Sequence, residues 1–268
     1  MQGRQFQDKN ELTEALKVLC QEDLAEYVRQ CGDSQQFRFV PENQWIFLYD
    51  CIQEAGSFGP EYFFQDMWAA REIYRSNVKH VYDIGSRMDG FIAHLLAMDI
   101  QVTMLDIRPF SHNIDGLRFI QTNAMDMSNI ADDSMETISS LCALEHFGLG
   151  RYGDPIDYFG WKKALHAIKR KLKVGGTFYL SVPVGREDRL EFNGHRIFNP
   201  MTIINEVIPE LTLYEFSYIA NWRINTCVKC GELSVMDDII KTRLTAGERG
   251  AQFGLFAFKK PAVAAPPR

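Results

Sequence analysis

Between residues 78 and 182 short apolar runs alternate with amphipathic stretches. Residues 78–84, 100–105, 117–121, 135–141 and 177–182 each read as a strand. Residues 90–98 read as a helix with Phe91, Leu95 and Met98 inward. Asp154-Pro155 is expected to open the clearest helix, with Asp154 as its N-cap. Trp161, Leu165, Ile168 and Leu172 would form its stripe, and Gly175-Gly176 would stop it. Asn199-Pro200 caps another helix that buries Ile203, Ile204 and Val207. Residues 211–219 and 253–258 alternate as a sixth and a seventh strand.

The chain ahead of residue 78 is patterned differently. Leu12, Leu16, Leu19 and Leu24 predict a helix over 10–31, ended by Cys31-Gly32. The run from Trp45 to Tyr49 reads as a short buried segment, helix or strand. Gly59-Pro60 opens a helix on which Phe63, Met67, Ala70 and Tyr74 share one face. The expected organisation is an N-terminal helical extension (1–55), one α/β domain (56–260) and a disordered Pro/Ala tail (261–268). The expected fold is Rossmann-like: a seven-stranded, mostly parallel sheet with helices on both faces.

Such sheets bind ligands beyond the carboxyl ends of their strands, near the switch in strand order. Chemistry is therefore sought in loops 84–90, 106–116, 122–129, 141–155 and 182–199. The first loop reads Asp83-Ile84-Gly85-Ser86-Arg87-Met88-Asp89-Gly90. A glycine directly after an apolar strand lets the backbone approach a ligand. Asp106 ends the second strand, where an acid accepts hydrogen bonds from ribose hydroxyls. Asn123-Ala124-Met125-Asp126 follows the third strand, with Asp126 placed to read an adenine amino group. Gly85 and Gly90 do not make the G-x-G-x-x-G that a dinucleotide pyrophosphate needs, since Arg87 takes the middle position. Asp83 suits a cationic ligand instead. Adenosine joined to an ammonium and a sulfonium fits this set, so S-adenosylmethionine is the expected cofactor. Ser86, Arg87, Ile107 and Cys142 complete the cofactor-contact candidates.

On these residues the sequence resembles the class I S-adenosylmethionine-dependent methyltransferases. It is most similar to the family catalogued as domain of unknown function 268. The matching segments include Tyr62-Phe63-Phe64-Gln65-Asp66-Met67-Trp68-Ala69-Ala70 and the Asp83–Gly90 loop. They also include the long run from Ala143 to Pro155, Leu180-Ser181-Val182-Pro183-Val184-Gly185 and Phe192-Asn193-Gly194-His195-Arg196-Ile197-Phe198. The chain departs from the broad methyltransferase pattern at Arg87 and Asp89, where glycines are usual. The resemblance implies a methyltransferase-like fold and an association with surface-glycan biosynthesis.

Methyl transfer to a hydroxyl needs a nucleophile held near the methyl group and a base for its proton. Histidine suits that task near neutrality. His146, in Leu144-Glu145-His146, and His195, in Asn193-Gly194-His195-Arg196, are the candidates, with Glu145 beside them; the alternative for each histidine is a loop hydrogen bond. Arg151, Tyr152 and Arg196 are candidates for holding an acceptor, Arg151 and Arg196 as an anion site. Gln65 and Asp66 are candidates on a helix face opposite its apolar stripe. Glu145, Asp154 and Asp157 lack a spacing that demands a metal, and Cys227-x-x-Cys230 lacks the second pair of a zinc site.

Composition narrows the classes. With 268 residues, 46% of them hydrophobic and 24% charged, the chain can bury a core. A net charge of −6 without a long basic run disfavours a nucleic-acid partner. No run approaches the roughly 18 apolar residues of a membrane span, and the polar start does not read as a signal peptide. Six irregularly spaced cysteines are expected as reduced thiols, hence a cytoplasmic protein. The expectation is an O-methyltransferase for a small polar acceptor, such as a sugar or a phosphorylated glycan precursor. A non-catalytic cofactor-binding subunit and a nicotinamide-dependent reductase are the alternatives. Self-association stays open.

Overall fold

The computed structural model describes residues 8–34, 37–44, 46–52, 59–88, 90–229, 232–245 and 252–262. The chain divides into two compact units, Met1–Phe58 and Gly59–Arg268.

The first unit is built on α1 (Lys9–Cys31). The Asp8 carboxylate accepts from the Asn10 and Glu11 amides, and Gly32 caps the other end. Of the predicted stripe, Leu16 is buried and Leu12, Leu19 and Leu24 are half-buried. The short segment expected after Trp45 is not regular over residues 46–49, and Ile46 and Phe47 are exposed. Trp45 lies outside the described residues.

The second unit is a three-layer α/β domain. Its elements are α2 (Pro60–Arg75), β1 (His80–Ile84), α3 (Phe91–Ala97), β2 (Gln101–Asp106), β3 (Leu117–Gln121), β4 (Met135–Leu141), α4 (Gly160–Lys171) and β5 (Leu172–Val184). Then come β6 (Arg189–Glu191), β7 (His195–Ile197), α5 (Pro200–Val207), β8 (Thr212–Ala220), β9 (Arg223–Lys229), α6 (Met236–Arg243) and β10 (Gln252–Lys259). The main sheet has the order β3-β2-β1-β4-β5-β10-β8-β9, and β6 pairs with β7 apart from it. Strands β3 to β5 are parallel, while β10 runs antiparallel to both β5 and β8. The sheet thus has eight strands rather than seven, the added one being β9, an antiparallel partner of β8. Its sequence is mostly polar and half exposed, so no apolar alternation marked it.

One apolar cluster packs α4, α5 and α6 on one face of the sheet, and a second packs α2 and α3 on the other. Each fully buried aliphatic or aromatic side chain in them is worth roughly 1.5–3 kcal/mol. Among the described residues no helix is long and apolar enough to cross a membrane.

Met98, expected inward on α3, is instead its exposed C-cap residue. Two other helices differ from expectation. Of the predicted face of α2, Ala70 is buried and Met67 half-buried, but Phe63 and Tyr74 are exposed. The buried face is centred on Gln65, Trp68, Ala69 and Ile73. The helix has apolar side chains around most of its girth, so periodicity alone does not choose a face. A buried hydrogen bond from Trp68 Nε1 to Glu215 Oε1 (3.0 Å) ties Trp68 to β8. The second case is α4, which starts at Gly160 rather than at Asp154 and ends at Lys171. The Asp154 carboxylate is used in the preceding loop, where it accepts from the amides of Gly148 (2.6 Å) and Tyr152 (3.2 Å). The Asn199 cap of α5 stands where it was expected, accepting from the Met201 amide at 2.8 Å.

Candidate functional site

The chain runs outward from β1 to β3 on one side and from β4 to β5 on the other. The switch in strand order therefore falls between β1 and β4. At that point a cavity of about 840 Å³ opens, lined entirely by the second unit. Its size lies within the roughly 300–1,000 Å³ of small-molecule sites.

Three strand ends build one part of the wall. After β1, Gly85, Ser86, Arg87 and Gly90 line the cavity. After β2 come Asp106, Ile107 and Arg108, and after β3 Thr122, Asn123, Ala124 and Met125. Gly85 has φ +76°, and a Cβ there would stand 2.8 Å from the Ala143 Cβ. Gly85→Ala is thus expected to destabilise the domain by about 1–3 kcal/mol. Thermal unfolding would show this as a Tm lower by several degrees; an unchanged Tm would contradict the close packing of the two loops.

Two acids assigned to this wall from sequence do not reach it. Asp83 is buried behind the loop and is absent from the cavity lining. Its carboxylate accepts from Ser139 Oγ (2.7 Å), Ser86 Oγ (3.0 Å) and the Ser86 amide (3.2 Å). Burial pushes its pKa up to about 6 against those bonds. Asp83 therefore shapes the glycine loop rather than facing a cation. Asp126 accepts from the Ser128 amide in a turn and also lies off the cavity. Asp106 does line it, already engaged by Arg108 through the backbone amide (2.8 Å), Nε (3.0 Å) and Nη2 (2.7 Å).

Helix α2 closes another side. Cys142 Sγ donates to Gln65 Oε1 (2.9 Å), and Gln65 Nε2 donates to Asp66 Oδ1 (3.1 Å). Asp66 Oδ2 accepts from the Phe91 amide at 3.1 Å, at the start of α3. Gln65 and Asp66 were candidates for holding an acceptor, with a solvated helix face as the alternative. They join the loop after β4 to α3, and both line the cavity.

The remaining wall comes from the loop after β4 and from the β6–β7 hairpin. His146 Nδ1 lies 2.7 Å from the Gly194 carbonyl oxygen. That oxygen only accepts, so Nδ1 carries the proton and Nε2 keeps the lone pair. Burial lowers the His146 pKa to about 4, so the ring is neutral. Glu145 is 2% exposed, and burial pushes its carboxyl up to about 8. Its Oε1 is 3.7 Å from His146 Nε2, and its buried Oε2 has no hydrogen-bond partner. Burial likewise raises the Cys142 thiol, which stays protonated. The His195 ring is 6.4 Å from that of His146, and His195 Nε2 lies 3.3 Å from Glu191 Oε2 across the hairpin.

Arg151 and Tyr152 line the cavity, but Arg196 does not. Arg196 donates to the carbonyls of Phe147 (2.7 Å) and Glu145 (3.4 Å), so it ties the hairpin to the loop. Asp157 is paired with Lys163. Among the described residues no group of three or more His, Cys, Asp or Glu is placed to hold a metal ion. Cys227 is a free thiol, and Cys230 lies outside the described residues.

Arg108, Thr122, Glu191, Tyr62 and Phe253 also line the cavity and carried no sequence signal of their own. Arg108 follows the acid of β2 by two positions, and Glu191 faces His195 only because of the hairpin register. Tyr62 meets Phe253 edge-on at 5.4 Å, joining α2 to β10.

The family described as Caenorhabditis protein of unknown function, DUF268, matches residues 93–231, more than half of the chain. The chain belongs to the DUF268 family. No curated protein matches it. Among solved structures, the DUF268 chain is similar to one from Haloferax volcanii, in the complex of the Trm112 methyltransferase activator with a candidate methyltransferase. The TM-score is 0.50 at 18% identity, over 75% of this chain and 91% of that one. The 1,6-didemethyltoxoflavin-N1-methyltransferase of Burkholderia thailandensis, bound to 1,6-didemethyltoxoflavin and S-adenosylhomocysteine, gives 0.49 at 13% identity, over 93% and 91%. At such identities the likeness is one of fold. The DUF268 sheet has the Rossmann-like architecture of class I methyltransferases, extended by β9.

Proposed function

We propose that this DUF268 protein is an S-adenosylmethionine-dependent O-methyltransferase acting on a small polar acceptor, such as a sugar or a phosphorylated glycan precursor. The observation that carries the reading is the neutral His146–Glu145 pair on the cavity wall.

The wall residues fit the cofactor. Asp106 supplies a carboxylate for ribose hydroxyls, and residues 122–125 flank the place of a base. The Gly85 turn, at φ +76°, brings the loop backbone to the cavity wall. Arg87, on the same loop, faces the cavity with a charge suited to an amino-acid carboxylate. S-adenosylmethionine, when bound, supplies a methyl group activated by a sulfonium.

The protein's own part is to hold a hydroxyl and take its proton. His146 Nε2 offers a lone pair, held in place because Nδ1–H donates to Gly194. Glu145, protonated at neutral pH, offers a donor 3.7 Å from that nitrogen. A hydroxyl between them would donate to His146 and accept from Glu145, which orients its free lone pair. The orphaned Glu145 Oε2 marks a polar group that lacks a partner within the protein. His195, with Glu191, stands on the far side of the same space.

Two measurements test this. Titration with S-adenosylhomocysteine is expected to raise Tm, since a ligand at about 100 times its Kd adds roughly 2.7 kcal/mol. Stabilisation by NAD and none by S-adenosylhomocysteine would overturn the reading. Transfer of radiolabelled methyl to members of a sugar and sugar-phosphate panel, with a base-stable product, is the second; a product labelled on nitrogen would remove the O-methyl part.

A further inference from the structure

Two guanidinium groups meet one phenol ring on the cavity wall. Arg108 lies 4.6 Å from the Tyr152 ring centroid and Arg151 lies 5.2 Å from it. Tyr152 meets the His146 ring edge-on at 5.4 Å, and Arg151 Nη1 is 3.4 Å from His146 Nδ1. Arg151 therefore stands beside the proposed base, and Arg108 is linked to it through the Tyr152 ring.

Their partners differ. Arg151 donates to the neutral Gly194 carbonyl, which leaves its charge unbalanced by that bond. Arg108 is neutralised by Asp106, which accepts three bonds from it. A carboxylate has about four lone-pair sites. Two ribose hydroxyls need two of them, so Arg108 must give up at least one bond when they arrive. The backbone amide is fixed by the chain; the exposed guanidinium is the part free to leave.

We propose that Arg108 and Arg151 form a binding site for a phosphate group on the acceptor, and that Asp106 withholds Arg108 from it until a cofactor ribose takes its place. This rests on the methyltransferase reading above and adds the acceptor's charge and the order of binding. Two forked donors gathered at one ring suit a tetrahedral dianion better than a planar carboxylate. Tyr152 keeps both guanidiniums oriented through its ring face. The cofactor binds first, and the phosphorylated acceptor second.

Calorimetry with inorganic phosphate and S-adenosylhomocysteine tests the coupling without any turnover. Phosphate is expected to bind the wild-type protein about tenfold more tightly when S-adenosylhomocysteine is present, and the reciprocal gain must match. Arg151→Ala loses phosphate binding and keeps S-adenosylhomocysteine affinity. Arg108→Ala abolishes the coupling and binds S-adenosylhomocysteine more tightly than wild type, because Asp106 no longer has a partner to surrender. Both side chains are exposed, and an unchanged unfolding temperature checks that the variants fold. Equal phosphate affinity with and without S-adenosylhomocysteine overturns the proposal, as does weaker S-adenosylhomocysteine binding by Arg108→Ala. Acetate binding as tightly as phosphate overturns the assignment to a phosphate. If S-adenosylhomocysteine does not bind the wild-type protein at all, the methyltransferase reading falls and takes this one with it; if it binds without coupling, only this one falls.

Discussion

His146→Ala is expected to lower kcat by about 10²–10⁴-fold while leaving S-adenosylhomocysteine affinity within about threefold of wild type. The ring meets Tyr152 edge-on and faces His195. Its bond from Nδ1 goes to Gly194 on the hairpin connection. What the variant removes is the one lone pair aimed at an acceptor hydroxyl. His195→Ala should cost less, because that ring is partly exposed and already paired with Glu191. Methyl transfer to the acceptor found in the panel, measured alongside calorimetry, separates the two effects. A His146→Ala protein with undiminished turnover would remove the base from the mechanism.

The pH profile carries the same assignment. A histidine at its ordinary pKa would switch off near pH 6.5. Burial holds His146 near 4, so the acid limb should lie well below 6. Glu145 must keep its proton to donate, so activity should fall above about 8 as that carboxyl ionises.

The second large effect concerns stability. Glu145 has a pKa of about 8 in the folded protein against an ordinary value of 4.5. Between those values the folded chain holds a proton that the unfolded chain has released. Stability therefore falls as pH rises from 4.5 through 8. Asp83, raised to about 6, acts in the same direction over the lower part of that range. His146, lowered to about 4, acts oppositely: its folded form resists protonation, so stability falls as pH drops below 6.5. From pH 6.5 to 8 Glu145 is the dominant one of these groups. Across it the wild-type protein should lose about 2 kcal/mol, and Glu145→Gln should flatten the slope. Urea unfolding at three or four pH values across that interval reads the difference directly. Parallel wild-type and Glu145→Gln curves would mean that the carboxyl is not held neutral.

Much of this site was legible along the chain. The ends of β1 to β4 followed from local apolar alternation, and with them the loops that line the cavity. Gly85, Asp106, Asn123, His146 and Arg151 could be named because each sits at a fixed offset from its strand. The errors share one cause. Asp83 and Asp126 lie near the carboxyl end of a strand as Asp106 does, yet neighbours from elsewhere claim one and its own turn claims the other. Arg196 and Arg108 exchange roles for the same reason: the carbonyl of Phe147, 49 residues away, holds the first, while the second turns back on Asp106 beside the cavity.

The sequence by itself determined the alternation of β1 to β5 with the helices between them, the glycine turn after β1 and the sheet edge where the cavity opens. Those depend on the alternation of side chains within a few residues and on which residues tolerate a turn. Only the tertiary structure decided which face of α2 is buried, that Glu191 and His195 face each other across a hairpin, and that Glu145 and His146 are both neutral. A helix face is chosen by what packs against it, and a proton affinity by how much water is removed and which distant groups replace it. Neither is written in the neighbouring residues.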